Sequence, residues 1–347
     1  MKVIEARRIE PLLESFFAIT VGLLAGSIFM AAFGYNPILG YFVLFNGGFG
    51  DLSKILESLA YAMPIIITGA SFTISARSGV FNLGLEGQAY LGAIGAVYIA
   101  GTFHLPPVIH IAAATVFGML LGALWSLPAA ILKIWKGVSE IISTIMLNWI
   151  AYYLTIYIAI DLLADPETPH KTISALPSAR YIRLTPRSTL TAGIFIALAF
   201  CVLIYFLLWH TAVGFELRLA GTNPDAALYA GVDPKKVTLI SFILSGLGAG
   251  LAGTIQVIGR PPGWCLYTNL GNVLMVGYDG ISVALMGRNH PIGCIVSAFF
   301  YGGLLNGSRL MESRVGIYSE LARALIGIII MIIAIPELMN IIKRRLK

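Results

Sequence analysis

Between Arg77 and Gln88 the chain reads Arg-Ser-Gly-Val-Phe-Asn-Leu-Gly-Leu-Glu-Gly-Gln, with long apolar stretches on both sides. Arg77, Asn82, Glu86 and Gln88 are hydrogen-bonding groups without a nucleophile among them, so their chemistry is recognition or capping. Ionisable groups inside membrane segments are costly and face a cavity or a partner rather than lipid. Two readings follow. Asn82, Glu86 and Gln88 either satisfy free backbone N–H groups of a broken helix or line a path for a polar solute. Asp279, between Gly277 and Gly280 in "VGYDGISVALMGRNHPIG", poses the same question. Asn148, in "STIMLNWIAYYL", is a lesser candidate, because a lone Asn also serves to bond a neighbouring helix.

Catalytic patterns are missing. His104, His110, His170, His210 and His290 form no i,i+4 pair and no HExxH, and there is no GxSxG elbow or GxxxxGK[ST] phosphate loop. No catalytic residue, cofactor or metal site is expected, and any ATP that drives the protein must be hydrolysed by a separate chain. Cys201, Cys265 and Cys294 are scattered without CxxC spacing, which points to apolar packing. The literal GxGxxG from Gly248 to Gly253 follows no strand and lies inside an apolar run. With Gly246 it sets small residues four apart, the spacing that lets membrane helices approach closely.

The elements that position these residues belong to a membrane protein. Of 347 residues, 58% are hydrophobic and 12% charged, and the mean hydropathy is +0.85. A soluble chain carries about twice that share of charge. The net charge of +6 does not indicate nucleic acid, because basic residues flank apolar spans, as in "MKVIEARRIE" and "IIKRRLK". Apolar runs near 16–34, 56–76, 87–103, 110–131, 138–160, 190–209, 238–258, 272–287, 291–306 and 319–337 give about ten spans, with eight to ten the working range. The run from Phe16 to Phe33 exceeds a signal-peptide core and reads as a retained span. With both termini inside, most lysines and arginines fall on the cytoplasmic side.

The fold class expected is therefore an all-α polytopic membrane protein forming one transmembrane domain over 1–347. Its halves, about 16–160 and 190–337, have opposite topology, and each holds a discontinuous, glycine-rich segment. Paired breaks of that kind point to a midplane transport pathway.

Between them lies a cytoplasmic loop, 210–237. Asn223 is suited to N-cap a helix whose first position is Pro224, Asp225 favours its first turn, and Gly231 can supply a left-handed stop. Asp233 and Pro234 repeat the signal for the next span. A separately capped helix of about two turns, with a small apolar body at Ala226, Ala227, Leu228 and Ala230, is either an ordinary loop helix or a knob that docks in another protein.

Taken together, "ARSGVFNLGLEGQAYLGA", "GVSEIISTIMLNWIAYYL", "GFELRLAGTNPDAALYAGVD" and "GYDGISVALMGRNHPIG" resemble permease subunits of bacterial ABC importers in the branched-chain amino acid and simple-sugar group, the nucleoside branch above all. The resemblance runs from about residue 55 to the C-terminus. It implies a coupling helix received by a cytoplasmic ATP-binding subunit, with Gly221, Asn223, Pro224, Ala227 and Gly231 matching the family's loop. Asn82, Gly84, Glu86, Gly87 and Gln88 match its N-x-G-x-E-G-Q element. Asp279 sits in a "GYDG" one residue shorter than the usual form. The resemblance further implies a second, shorter permease, an extracytoplasmic binding lipoprotein and a place in the bacterial cytoplasmic membrane with both termini inside. A sugar or branched-chain amino acid permease stays open at this point, as does an ion-coupled secondary transporter, which would also have inverted halves.

Overall fold

A computed structural model describes residues 20–334. The basic ends that anchor the orientation argument, and the outermost residues of the first and last expected spans, lie outside them. The described residues are overwhelmingly helical: α1 (Thr20–Ala32), α2 (Pro37–Phe49), α3 (Leu52–Arg77), α4 (Leu85–Thr102), α5 (Pro107–Lys136), α6 (Glu140–Tyr157), α7 (Gly193–His210), α8 (Ala212–Thr222), α9 (Pro224–Tyr229), α10 (Pro234–Ile258), α11 (Val276–Met286), α12 (Pro291–Val315) and α13 (Ser319–Ala334). A π-helical turn, Ile158–Leu162, extends α6. A helix lies in each of the ten expected apolar segments. Among the described residues, five are long and apolar enough to cross a bilayer: Leu52–Arg77, Pro107–Lys136, Glu140–Leu162, Gly193–His210 and Pro234–Ile258. This is an all-α membrane protein.

The helix α2 is additional. Its 13 residues fall short of a span, yet Asn36 caps it through Ile38 N–H at 3.0 Å and Pro37 occupies its first position.

Contacts divide the chain into two compact units, residues 59–299 and the flanking residues below 59 and from 300 on. In the flanking unit, Gly303 and Gly307 of α12, one GxxxG step apart, meet the backbone of α2 around Leu44, Gly47 and Gly48. Asn306, on the same face, donates to Gly47 O (3.2 Å) and Lys54 O (3.1 Å).

In the 59–299 unit, α10 is the central post. Gly246 and Gly250 rest on the α5 backbone at Gly122 and Gly118, Gly253 on Ala89 of α4, and Gly248 on Ser71 of α3 and Phe200 of α7. The GxGxxG run is a packing surface with a different neighbour at each glycine, and a methyl group at any of them would collide. All three cysteines are free and buried. The loop after α6 folds over one end of the unit. His110 holds Ser178 there at 2.9 Å, and Lys171 pairs with Asp165 at 3.2 Å.

Candidate functional site at the helix break

The helix α3 stops at Arg77 through a glycine-based cap. Gly79 has φ +74°, Val80 N–H returns to Ser75 O (2.9 Å) and Gly79 N–H to Ala76 O (3.3 Å). Residues 78–84 then run without helix until α4 begins at Leu85. The break expected from the sequence is real, and almost all its polar side chains are buried. Asn82 accepts from Gly84 N–H (2.9 Å) and donates to Ser245 Oγ of α10 (2.8 Å) and Gln88 Oε1 (3.2 Å). Gln88 returns a bond to Asn82 Oδ1 at 3.3 Å. Asn82 and Gln88 thus close on each other.

Glu86 reaches further. Its carboxylate accepts from Tyr90 Oη, one helical turn on (2.6 Å), and from the backbone N–H groups of Met275 and Gly277 (2.6 Å for the latter). Those two groups open α11, whose cap residue Met275 has φ +72° and offers no side-chain bond. A buried helix start cannot leave its N–H groups bare. Glu86 supplies from α4 the cap that α11 lacks locally. Gly277 lies directly on the backbone of Leu85 and Glu86, too close for any β-carbon.

At the other end of α11, the left-handed residues Arg288 and Asn289 turn their carbonyls toward Arg77, which donates to Asn289 O (2.7 Å) and Arg288 O (3.1 Å). The two flanks of the break therefore grip both ends of α11. Asn148 of α6 ties the assembly sideways: it accepts from Gly87 N–H (2.9 Å) and donates to Leu83 O (2.8 Å) and Tyr278 Oη (3.0 Å). Asp279 is buried in the first turn of α11.

The loop residues are placed as their cap signals predict. Asn223 accepts from Ala226 N–H (3.1 Å), and Asp233 accepts from Lys235 N–H (2.9 Å). Gly231, at φ +82°, closes α9 with Val232 N–H on Ala227 O (2.9 Å). Ala227 itself points inward and is 3% exposed, whereas Leu228 (59%) and Tyr229 (94%) are exposed. The outer surface of α9 is larger and more apolar than its alanines imply. Gly221, at the end of α8, lies against Arg77 O and Gly79 N. The loop glycine and the break are in van der Waals contact, so two sequence motifs some 140 residues apart form one structure. Arg77 and Arg218 also flank the Trp209 ring, each 5.6 Å from its centroid.

Asn148 bonds its neighbouring elements, as a lone Asn in a span is expected to, and sequence reasoning missed Tyr90, Ser245, Tyr278 and Tyr229. Only Tyr90 carried a local signal, its i,i+4 spacing from Glu86.

Residues 54–334 match the family model described as the permease component of branched-chain amino acid transport systems. This chain belongs to that family. It is 35% identical to the guanosine ABC transporter permease protein NupP of Bacillus subtilis over 98% of both chains. It is 34% identical to the nucleoside ABC transporter permease protein NupB of Lactococcus lactis, over 96% of this chain and 94% of that one. A further B. subtilis relative, the guanosine ABC transporter permease protein NupQ, is 29% identical over 73% of this chain and 82% of its own length. The helix break and the capped loop are thus features of a transport-system permease.

Proposed function

We propose that this chain is the membrane permease of an ATP-driven importer for nucleosides, working beside a second, shorter permease. It receives solute from an extracytoplasmic binding lipoprotein, and separate cytoplasmic subunits hydrolyse the ATP. The observation that carries the reading is the near full-length similarity to two permeases whose names specify guanosine and nucleosides. Two B. subtilis relatives, NupP and NupQ, bear the same guanosine designation, which supports a paired permease.

In this reading the protein has ten spans in two inverted halves in the bacterial cytoplasmic membrane, with both termini and the 210–237 loop cytoplasmic. The α9 surface at Leu228 and Tyr229 docks the ATPase. Gly221, Asn223, Pro224, Ala227 and Gly231 shape and hold that surface. Motion of the loop passes through Gly221 to the break at 77–79, and from there to α11 through Arg77 and Glu86. Asn82, Glu86, Gln88 and Asp279 act as the braces of the path wall.

Uptake of labelled guanosine by the reconstituted complex, with and without ATP, tests the function. ATP-dependent uptake that plain glucose or leucine fails to compete supports it. Preferential uptake of a sugar or a branched-chain amino acid would move the substrate assignment, and cation-driven uptake by this chain alone would overturn the importer reading.

A further inference from the structure

The later part of α5 and the first half of α10, which begins shortly after α9, line a groove of about 530 Å³. Ile131 of α5 and Leu239 and Ile243 of α10 form its walls, all apolar. From Lys236 to Ile243 the groove runs about 10 Å along α10 at 1.5 Å per residue. Its floor is firm, since Leu239 packs on the buried cluster of Val80, Ala129, Ala130 and Phe242.

The mouth is different in kind. Trp135 stands there 75% exposed, and Lys235 and Lys236, in the first turn of α10, complete the rim. Lys133, one turn before Lys136 on α5, is neutralised by Glu140 at 2.5 Å. Lys235 and Lys236 have no carboxylate partner among the described residues. The Asp233 carboxylate, close by in sequence, accepts from Lys235 N–H, not from an ammonium group.

We infer that this groove is a binding site for an anionic glycerophospholipid of the leaflet bordering the α8–α9 loop. One acyl chain lies between α5 and α10 on Ile131, Leu239 and Ile243. The phosphate sits between the ammonium groups of Lys235 and Lys236, and Trp135 marks the headgroup level, where indole rings concentrate. The charge pattern selects this occupant. A protein partner filling the groove would have to bring carboxylates to two cations at the edge of an apolar contact, or leave those charges buried unpaired. An anionic lipid carries its phosphate and its hydrocarbon at that separation already, and basic pockets between membrane helices hold such headgroups.

The test uses the purified permease complex in nanodiscs of equal parts phosphatidylglycerol and phosphatidylcholine, with retained lipid counted by native mass spectrometry. The wild type is expected to keep phosphatidylglycerol in preference. The double variant Lys235→Gln/Lys236→Gln is expected to lose about 25-fold of that preference, roughly fivefold per charge, with its thermal midpoint unchanged. Ile131→Trp fills the groove and leaves both charges in place; it should expel the lipid nonetheless. Equal retention of the two lipids by wild type and double variant would overturn the inference. So would displacement of the lipid by millimolar inorganic phosphate, which would reduce the site to a free-anion patch. Photo-crosslinks from position 131 that reach the second permease and no lipid would assign the groove to a protein interface instead.

Discussion

The helix break and the α8–α9 loop invert each other's chemistry. At the break, Asn82, Glu86, Gln88 and Asn148 are polar and buried, and each bonds within the fold. On the loop, Leu228 and Tyr229 are apolar and exposed, as is Phe215. The first region closes on itself, since each of these four side chains has found a partner inside the fold. The second is incomplete, because apolar side chains at that exposure lower their free energy by being covered. On the reading proposed above, the difference separates a joint, which holds the fold together, from a dock, which acts only when a partner arrives. Substitutions in the two regions should therefore divide cleanly between stability and association.

The largest effect is expected at Glu86. Replacing it with Leu leaves the N–H groups of Met275 and Gly277 buried without acceptors, at a cost of about 4 kcal/mol from two unmade bonds. Thermal unfolding of the purified protein should fall steeply, and uptake with it. Glu86→Gln keeps one acceptor oxygen and should recover about half of the loss. A Glu86→Leu protein as stable as the wild type, yet inactive in uptake, would return Glu86 to direct contact with solute and break the comparison.

Gly221 comes next, at the seam between the two regions. A β-carbon there meets Arg77 O and Gly79 N, and backbone cannot yield as a flexible side chain can. Gly221→Val is expected to cost about 2–3 kcal/mol by overpacking and to lower uptake more than the stability loss alone explains. Gly327→Val, at a helical glycine of α13 whose β-carbon would meet nothing within 4 Å, is the control for the change of residue itself. If the two variants match in stability and in uptake, the Gly221 contact transmits nothing.

How much of this was legible in the sequence differs between the regions for a physical reason. The caps of α9 were readable, because caps are local: Asn223 finds Ala226 three residues away and Gly231 closes its own helix; α8, an 11-residue helix inside the same loop, was not. What the pattern could not supply was the rotation of α9, and a six-residue helix is too short for periodicity to say that Ala227 faces inward. The break itself was visible from its glycines. Its meaning was not, because the groups Glu86 caps lie 189 residues further on. The helix α2 escaped notice for another reason. A span criterion of about 20 apolar residues passes over a 13-residue helix whose Asn36-Pro37 start was there to be read.

The dock should give a smaller effect of the opposite kind. Tyr229→Ala removes a side chain that is 94% exposed, so stability should stay within about 0.5 kcal/mol. Affinity for the ATP-binding subunit should fall by about 2 kcal/mol if Tyr229 anchors the contact, roughly thirtyfold in a pull-down titration. Ala227→Arg, by contrast, forces a charge into the interior of the loop and should lower stability and association together. Equal behaviour of the two variants would mean that α9 presents no distinct face.

The smallest effect tests whether the dock is held ready or forms on contact. Asn223 fixes the start of α9 by accepting from Ala226 N–H, and this is what keeps Leu228 and Tyr229 presented together. An N-cap Asn replaced by Ala costs about 1 kcal/mol, and by Gly only a few tenths, since Gly leaves the N–H groups open to water. The helix α9 has only six residues, and helices that short do not persist without their ends secured. The cap energy should therefore appear mainly as a cost of ordering the loop on binding. Asn223→Ala is expected to weaken ATPase association about fivefold and Asn223→Gly less than twofold, with neither moving the thermal midpoint that the break controls. Faster dissociation with an unchanged association rate would locate the effect in the bound state. A thermal shift as large as that of Glu86→Gln would instead join the loop to the folded core and erase the distinction between dock and joint.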